Sequence, residues 1–483
     1  MTSRLFDAIV PVLSWIVITM PVWLSPFHPA VAAYFIITFD LYFLYKSLTT
    51  TYFATLAYKY LLIHLKIPYA KKLKKLRGAE YIQHYVIIPN YKEPLYKLES
   101  TIQSLVNSDY PFKNISLVLA FEQRESEARD KALTLQKKFR ENFDNVITTF
   151  HPLLPQEESG KASNQTFAAK EVDTFVEKNK MVREKILITI CDADSSLAKN
   201  YFSYLTYEYL RDRERLFHFY WAPVLLYNNF WRLPLFIRIQ ATLSSILRLA
   251  FLPQKDKLIQ ISTYSTSLWL LKKINFWDVD IIPEDWHIFY QAFFSFGEKI
   301  KTIPLYTITN GDAVYSGGLL KTSGSRYEQE KRWAWGVSDI SYTLKKFIST
   351  PHINPFVKLR RILFLAETHL LWTVSFFILT ISASVPPLIN PIFKRTVLGF
   401  LLPKLSGIIL TLASLMLILY VYLDYQLRKK LDHKIRLRSI PFLFIQWYLL
   451  PIVSFIFSSL PALDAHTRLL FGKKIKYKVT EKI

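Results

Sequence analysis

Along the 483 residues, apolar positions gather in two distinct ways. Five long runs are nearly free of charge: 7–25 and 30–48, then 362–384, 397–423 and 439–461. Each is near or above the roughly 20 residues that an α-helix needs to cross a bilayer core. Between these blocks the pattern shortens. YVIIP (85–89), ISLVLAF (115–121) and ILITIC (186–191) are near-continuous apolar runs, as strands buried on both faces require. Helix-period stretches lie between them, at Tyr96–Val106 and Glu127–Phe143, and another helix begins near Lys199. Such alternation predicts an α/β domain with a mostly parallel sheet and right-handed crossovers. Ligands of such sheets bind at the carboxyl ends of strands, so the residues after each strand carry the chemistry.

Composition agrees with a membrane protein. Hydrophobic residues make up 51% of the chain and aromatics 16%, too apolar for an ordinary soluble enzyme. The first run is long, lacks a small-residue cleavage site and is followed at once by a second span, so it reads as a retained anchor. A net charge of +23 first suggests nucleic acid. No basic-aromatic binding module accompanies it, and no nucleic-acid partner is expected. The charge marks topology instead. WLSPFHP, between the first two runs, has no Lys or Arg, whereas five of the seven residues Lys71–Arg77 are basic. The positive-inside rule then places 49–361 in the cytoplasm, in contact with a lipid bilayer through its basic residues. The lone Cys191 excludes an intramolecular disulfide and any multi-cysteine metal site.

The division expected is two spans within 1–50, a basic linker at 51–79, the α/β domain at 80–350, a membrane region at 351–461 and a basic tail at 462–483. The segment 439–461 is a special case. One crossing would put the basic tail outside, against the charge rule, yet its 23 residues cannot cross twice. Pro441, Pro451 and Pro461 interrupt it, which predicts a re-entrant or interfacial element and a cytoplasmic tail. An ordinary fifth span with an external tail is the alternative.

Polar groups cluster after the strands. The first strand is followed by Pro89-Asn90-Tyr91-Lys92-Glu93-Pro94, and the second by Glu122-Gln123-Arg124-Glu125. Alone, each reads as a plain turn. The third leads into Asp192-Ala193-Asp194, where extended backbone would point both carboxylates the same way. Two such oxygens suit Mg²⁺ or Mn²⁺ completed by water and phosphate, although a capping turn is the commoner use of the pattern. Glu284 and Asp285 follow Pro283, either as first-turn helix acids or with one carboxylate as a general base. Gln329, Arg332 and Trp333 share a helical face at i, i+3 and i+4. A guanidinium there could bind diphosphate oxygens and an indole could stack on a sugar ring.

Taken in order, Pro89 and Glu93, Gly160-Lys161-Ala162, Asp192-x-Asp194, Glu284-Asp285 and Gln329-x-x-Arg332-Trp333 resemble the membrane-embedded family 2 glycosyltransferases, the group of cellulose, chitin and hyaluronan synthases. Tyr477-Lys478-Val479-Thr480-Glu481-Lys482 looks like the Phe-x-Val-Thr-x-Lys gating segment of cellulose synthases, with Tyr for Phe. The resemblance implies a GT-A domain over 80–350 that binds a nucleotide-sugar donor, usually a UDP-sugar, with a divalent metal. It implies that Tyr91, Glu93, Glu122 and Lys161 hold the nucleotide, and that Asp192 and Asp194 contact nucleotide and metal. Asp285, beside Glu284, would be the base and Arg332 the diphosphate contact. Gln329 and Trp333 would face the acceptor, and Tyr477, Val479, Thr480 and Lys482 would gate. The chain departs from the family pattern at Glu122, where Asp is usual, at Pro283, where processive synthases commonly carry Thr, and at Ser262–Ser265, where a Gly-rich segment is common. These departures bear on sugar identity and processivity.

Three readings stay open: processive synthesis of a glycan, transfer of one sugar to a lipid-linked acceptor, and a non-catalytic membrane binding protein or transporter. Asp40, Glu367 and His369 sit inside apolar runs, where they would either line a glycan path or pair between helices.

Overall fold

The computed structural model describes residues 2–430, 441 and 445–475. The gating-like residues Tyr477, Val479, Thr480 and Lys482 lie outside the described residues. Seven strands form the central sheet: β1 (Gln83–Asn90), β2 (Ile115–Glu122), β3 (Val146–His151), β4 (Ile186–Ile190), β6 (His218–Trp221), β8 (Tyr264–Ser267) and β9 (Lys301–Pro304). Their order is β3-β2-β1-β4-β8-β6-β9. β8 runs antiparallel to β4 and β6, and the other pairings are parallel. The predicted strands form because both faces are covered. Ile87 lies opposite Val118 and Ile190, and all three are almost fully buried. A small second sheet joins β5 (Ser196–Leu197), β10 (Thr309–Asn310) and β7 (Val224–Leu225) in the order β5-β10-β7.

The direction of β8 matters for the site. Tyr264, at its start, pairs with Ile190, at the end of β4. The residues that lead into β8 therefore meet the residues that leave β4. A wholly parallel sheet would put them at opposite ends.

Five helices are long and apolar enough to cross a membrane: Arg4–Leu24, Pro29–His64, Pro355–Thr380, Val397–Arg428 and Gln446–Leu470. The second continues well past residue 48, so the expected linker begins as helix. Its extension is amphipathic, with Ala54, Ala57 and Leu61 buried in the core shared with the α/β domain. The last run stays helical through its prolines. Pro451 and Pro461 each stand in the first turn of an α-helical piece, where a missing N–H costs little. Between these pieces Phe455–Ser459 widens into a π-turn. Polar residues in the spans pair between helices. Asp40 accepts from Ser406 Oγ at 2.5 Å, and Glu367 takes up Lys46 and the Tyr42 hydroxyl.

Candidate active site

Lys161 is the hub of the cleft. It opens the helix Lys161–Lys178 just after Gly160, whose φ of 150° and ψ of −162° lie in a region open essentially to glycine alone. That turn aims the lysine inward. Its Nζ lies 2.7 Å from Asp192 Oδ1, 3.0 Å from Glu284 Oε1 and 2.9 Å from the Ser262 carbonyl, to which it donates. Burial alone would lower the ammonium's pKa; the charges of Asp192 and Glu284 outweigh it and hold Lys161 well above its ordinary value.

The approach to β8 supplies the next contacts. Ser262 adopts φ 68°, uncommon for a residue with a side chain. In that pose its hydroxyl donates to Asp192 Oδ2, and its N–H donates to Asp285 Oδ2 at 3.0 Å. Asp285 Oδ1 accepts from the Trp286 N–H at 2.9 Å. Burial, then the adjacent Glu284 charge, push the Asp285 carboxyl up to about 7 against the pull of Lys161 and these two N–H groups. A carboxylate so placed is matched to proton transfer near neutral pH.

Asp192 and Asp194 are presented differently from the extended arrangement that the sequence suggested. β4 stops at Ile190, and Ser195 N–H donates back to the Asp192 carbonyl at 2.9 Å, closing a turn. Asp192 faces Lys161 and Ser262, whereas Asp194 Oδ2 accepts from the Asp312 N–H at 3.2 Å. The Asp312 carboxylate is held in turn by Lys97 at 2.6 Å.

At the ends of β1 and β2, the Arg124 guanidinium lies 4.2 Å from the Tyr91 ring centre and bonds Glu122. Burial raises the Glu122 pKa, partly offset by Arg124. Glu125 Oε2 accepts from the Lys92 N–H at 2.8 Å, and Lys131 bridges Glu125 Oε1 at 2.7 Å to the Glu93 carbonyl at 3.0 Å. The turn bearing Tyr91 and Glu93 is thereby clamped.

Gln329, Arg332 and Trp333 lie on the helix Leu319–Ala334, with Gln329 buried and the other two half-buried. Two arginines that sequence reasoning missed flank the indole: Arg326 at 4.7 Å and Arg248 at 5.6 Å from the Trp333 ring centre. Burial, then the Arg326 charge, lower Arg248 to about 10. Arg326 also bonds Gln329 and Glu330, while Gln240 Nε2 bridges Glu330 and the Phe457 carbonyl, both at 2.6 Å. The π-turn of the last apolar helix is thus tied to the Gln329–Trp333 segment. Arg326 was findable, since it stands three residues before Gln329 on the same face, and Ser262 fell in the stretch where a Gly-rich segment is common; Arg248 had no comparable signal.

No protein-family model matches this sequence, and no curated protein matches it. Among solved structures, it is similar to the mannosyltransferase PcManGT from Pyrobaculum calidifontis in complex with GDP-Man and Mn²⁺, at 13% identity and a TM-score of 0.44, over 91% of this chain and 100% of that one. It is also similar to S. aureus TarS 1–349 in complex with UDP-GlcNAc, at 12% identity and 0.37, over 72% and 92%. A third is GalNAc-T7 with UDP, GalNAc and Mn²⁺, at 12% and 0.34, over 60% and 58%.

The apolar helices close the site from below. A Cβ added at Gly336 would lie 3.3 Å from the His369 ring and 3.9 Å from Pro283, so a side chain there would collide with the seam. Trp286 stacks on Phe364 of the Pro355–Thr380 helix, with ring centres 5.9 Å apart. His369 and His466 bring their rings to 5.9 Å in the same region.

Proposed function

We propose that the chain is an integral-membrane glycosyltransferase that moves a sugar from a nucleotide-sugar donor, by preference a UDP-sugar, to an acceptor hydroxyl. The observation that carries this reading is the linkage Lys161–Asp192–Ser262–Asp285. It sets a carboxylate raised to about 7 one residue away from Lys161, whose ammonium is held charged by Asp192 and Glu284 and could turn to a diphosphate. Asp285 takes the proton of the acceptor hydroxyl as its oxygen attacks the anomeric carbon. The bond from that carbon to the diphosphate breaks, and a single displacement inverts the configuration. Lys161 and Arg332 offset the charge of the leaving group. The Arg124–Tyr91 stack and Glu122 suit a nucleobase, with Glu93 nearby.

Asp192 and Asp194 fit a divalent ion. They are hard oxygen donors two residues apart in one turn, Asp192 facing Lys161 and Ser262 and Asp194 the Asp312 N–H. That is the donor set of Mg²⁺ or Mn²⁺ completed by water and phosphate. When bound, the ion would neutralise diphosphate charge. On the acceptor side, the half-buried Trp333 indole, with Gln329 beside it and Arg326 and Arg248 near its ring, would supply an apolar contact and polar groups for a sugar.

Processive synthesis is the second reading, favoured by the seam between His369 and Gly336 that brings an apolar helix directly beneath the site. Incubating membranes with a panel of labelled nucleotide sugars and sizing the product tests both readings. Donor-dependent labelling of a glycan or lipid is expected, and a ladder of long products selects processivity. No incorporation from any donor would overturn both.

A further inference from the structure

The acceptor leaves its own trace. On the membrane side of the candidate site, a crevice of about 350 Å³ separates the loop at Asp256 and Lys257 from the first turns of the Pro355–Thr380 helix. Its outer lip is apolar: Phe356 is 80% exposed, and Leu359 and Leu363 are exposed below it on the same helix. Its rim is basic. Lys257 Nζ stands 5.8 Å from the Phe364 ring centre, Arg360 pairs with Asp256 at 2.9 Å, and Arg361 Nη1 donates to the Asp256 carbonyl at 2.6 Å. The lining therefore holds three cations against two carboxylates, and Glu367, at the far end, bonds Lys46 and Tyr42 and also feels the Lys257 charge. The inner end is closed by Phe364, whose stacking partner Trp286 holds Asp285 through its N–H. One aromatic pair separates the crevice from the base.

These features narrow the occupant, and the experiment below separates it from an ordinary anionic phospholipid. A free nucleotide sugar or a soluble glycan has no use for an exposed apolar lip beside the bilayer. An ordinary lipid tail has no use for a cationic rim one side chain from a general base. An amphiphile with a phosphate head satisfies both, because the rim can neutralise the phosphate while the chain stays along the lip. We propose that this crevice is the acceptor site and that it takes a lipid-phosphate-linked sugar. The phosphate sits among Lys257, Arg360 and Arg361, the chain lies along Phe356, Leu359 and Leu363, and the sugar passes the Trp286–Phe364 pair to reach Asp285. The inference rests on the glycosyltransferase reading above, and it selects the acceptor class. Atoms balance as in the donor reaction: the acceptor hydroxyl loses its proton to Asp285, the new C–O bond forms, and the nucleoside diphosphate leaves.

The test uses the full chain in phosphatidylcholine vesicles with a polyprenyl-phosphate probe that carries a photoactivatable group near its phosphate. Cross-linked peptides are then mapped by mass spectrometry. Labelling is expected in 256–257 and 356–367. Unlabelled polyprenyl phosphate should compete, and phosphatidylglycerol and inorganic phosphate should not. The paired change Lys257→Glu and Arg360→Glu should lower labelling by about tenfold or more, the loss expected for two charge-assisted contacts. Phe356→Asp, on the lip alone, should lower it too, and thermal unfolding of each variant reports on folding. Equal competition by phosphatidylglycerol would make the crevice a general lipid site and overturn the proposal, as would labelling elsewhere or labelling that folded variants leave unchanged. Nucleotide-sugar binding by the wild-type vesicles is measured separately. Binding without crevice labelling sinks the acceptor site alone, whereas crevice labelling without nucleotide-sugar binding sinks the glycosyltransferase reading.

Discussion

Ser262 donates its backbone N–H to Asp285 Oδ2 at 3.0 Å, while its hydroxyl donates to Asp192. One residue thus fixes the distance between the candidate base and the candidate diphosphate wall. Glycine would accept the φ of 68° more readily than serine and would keep the N–H. Ser262→Gly should therefore lower nucleotide-sugar affinity by about 3–10-fold, the net value of one ordinary hydrogen bond. The midpoint of the pH–rate curve should not move. Calorimetric titration with the donor and a pH profile measure the two effects, and a shifted midpoint with unchanged affinity would reverse the assigned roles.

Strands β1, β2 and β4 and the carboxylate pairs were legible in the sequence because burial on both faces leaves uninterrupted apolar runs, with acids following them; β3, β6, β8 and β9 are short or carry polar residues and left no such run. Lys161 came from the resemblance of Gly160-Lys161-Ala162 alone, and Ser262 only as part of Ser262–Ser265, where a Gly-rich segment is common; the contacts of Ser262 come from the reversed direction of β8, which no local pattern encodes. Arg248 was hidden inside an apolar helix, where a lone arginine reads as solvated until Trp333 is placed against it. The helix to His64 exceeded its apolar run because its buried side is paid for by the α/β domain instead of lipid. The prolines of the last run led to the expectation of a re-entrant or interfacial element; Pro451 and Pro461 stand in first turns of helical pieces separated by a π-turn, which does not decide how the segment meets the membrane.

Metal dependence follows from Asp192 and Asp194. Turnover should be lost in excess EDTA and return with Mn²⁺ or Mg²⁺, and Asp194→Ala should not be rescued by either ion. Undiminished turnover in the chelator would remove both carboxylates from the metal role.

His287 sits between Asp339, at 2.7 Å, and Asp278, at 2.9 Å, on the helix that begins with Glu284 and Asp285. Burial opposes its charge, but the two carboxylates raise it to about 9. A pKa above the ordinary 6.5 means that the stabilisation is complete below about pH 6.5 and is lost as pH rises through about 9. The melting temperature should fall between pH 7 and pH 10, and His287→Gln should flatten that slope. A variant with an unchanged slope would assign the alkaline loss to other groups.

Topology is tested at the tail. With Cys191→Ser and a cysteine at Thr480, an impermeant maleimide should leave intact cells unlabelled and label inverted vesicles. Labelling from outside would make 446–470 an ordinary crossing and remove Tyr477–Lys482 from the cytoplasmic mouth of the site.

The central claim is that Asp285 removes the acceptor proton, and its direct test is transfer by purified wild-type and Asp285→Asn enzyme across pH. Since the free carboxylate is the active form and titrates at about 7, wild-type turnover should rise through neutral pH and level off above it. Asp285→Asn should bind the donor as well as wild type, lose the rise through neutral pH, and turn over about 10²-fold or more slowly on the plateau above about pH 7. Full turnover in the purified variant, with the same pH profile, would contradict the account.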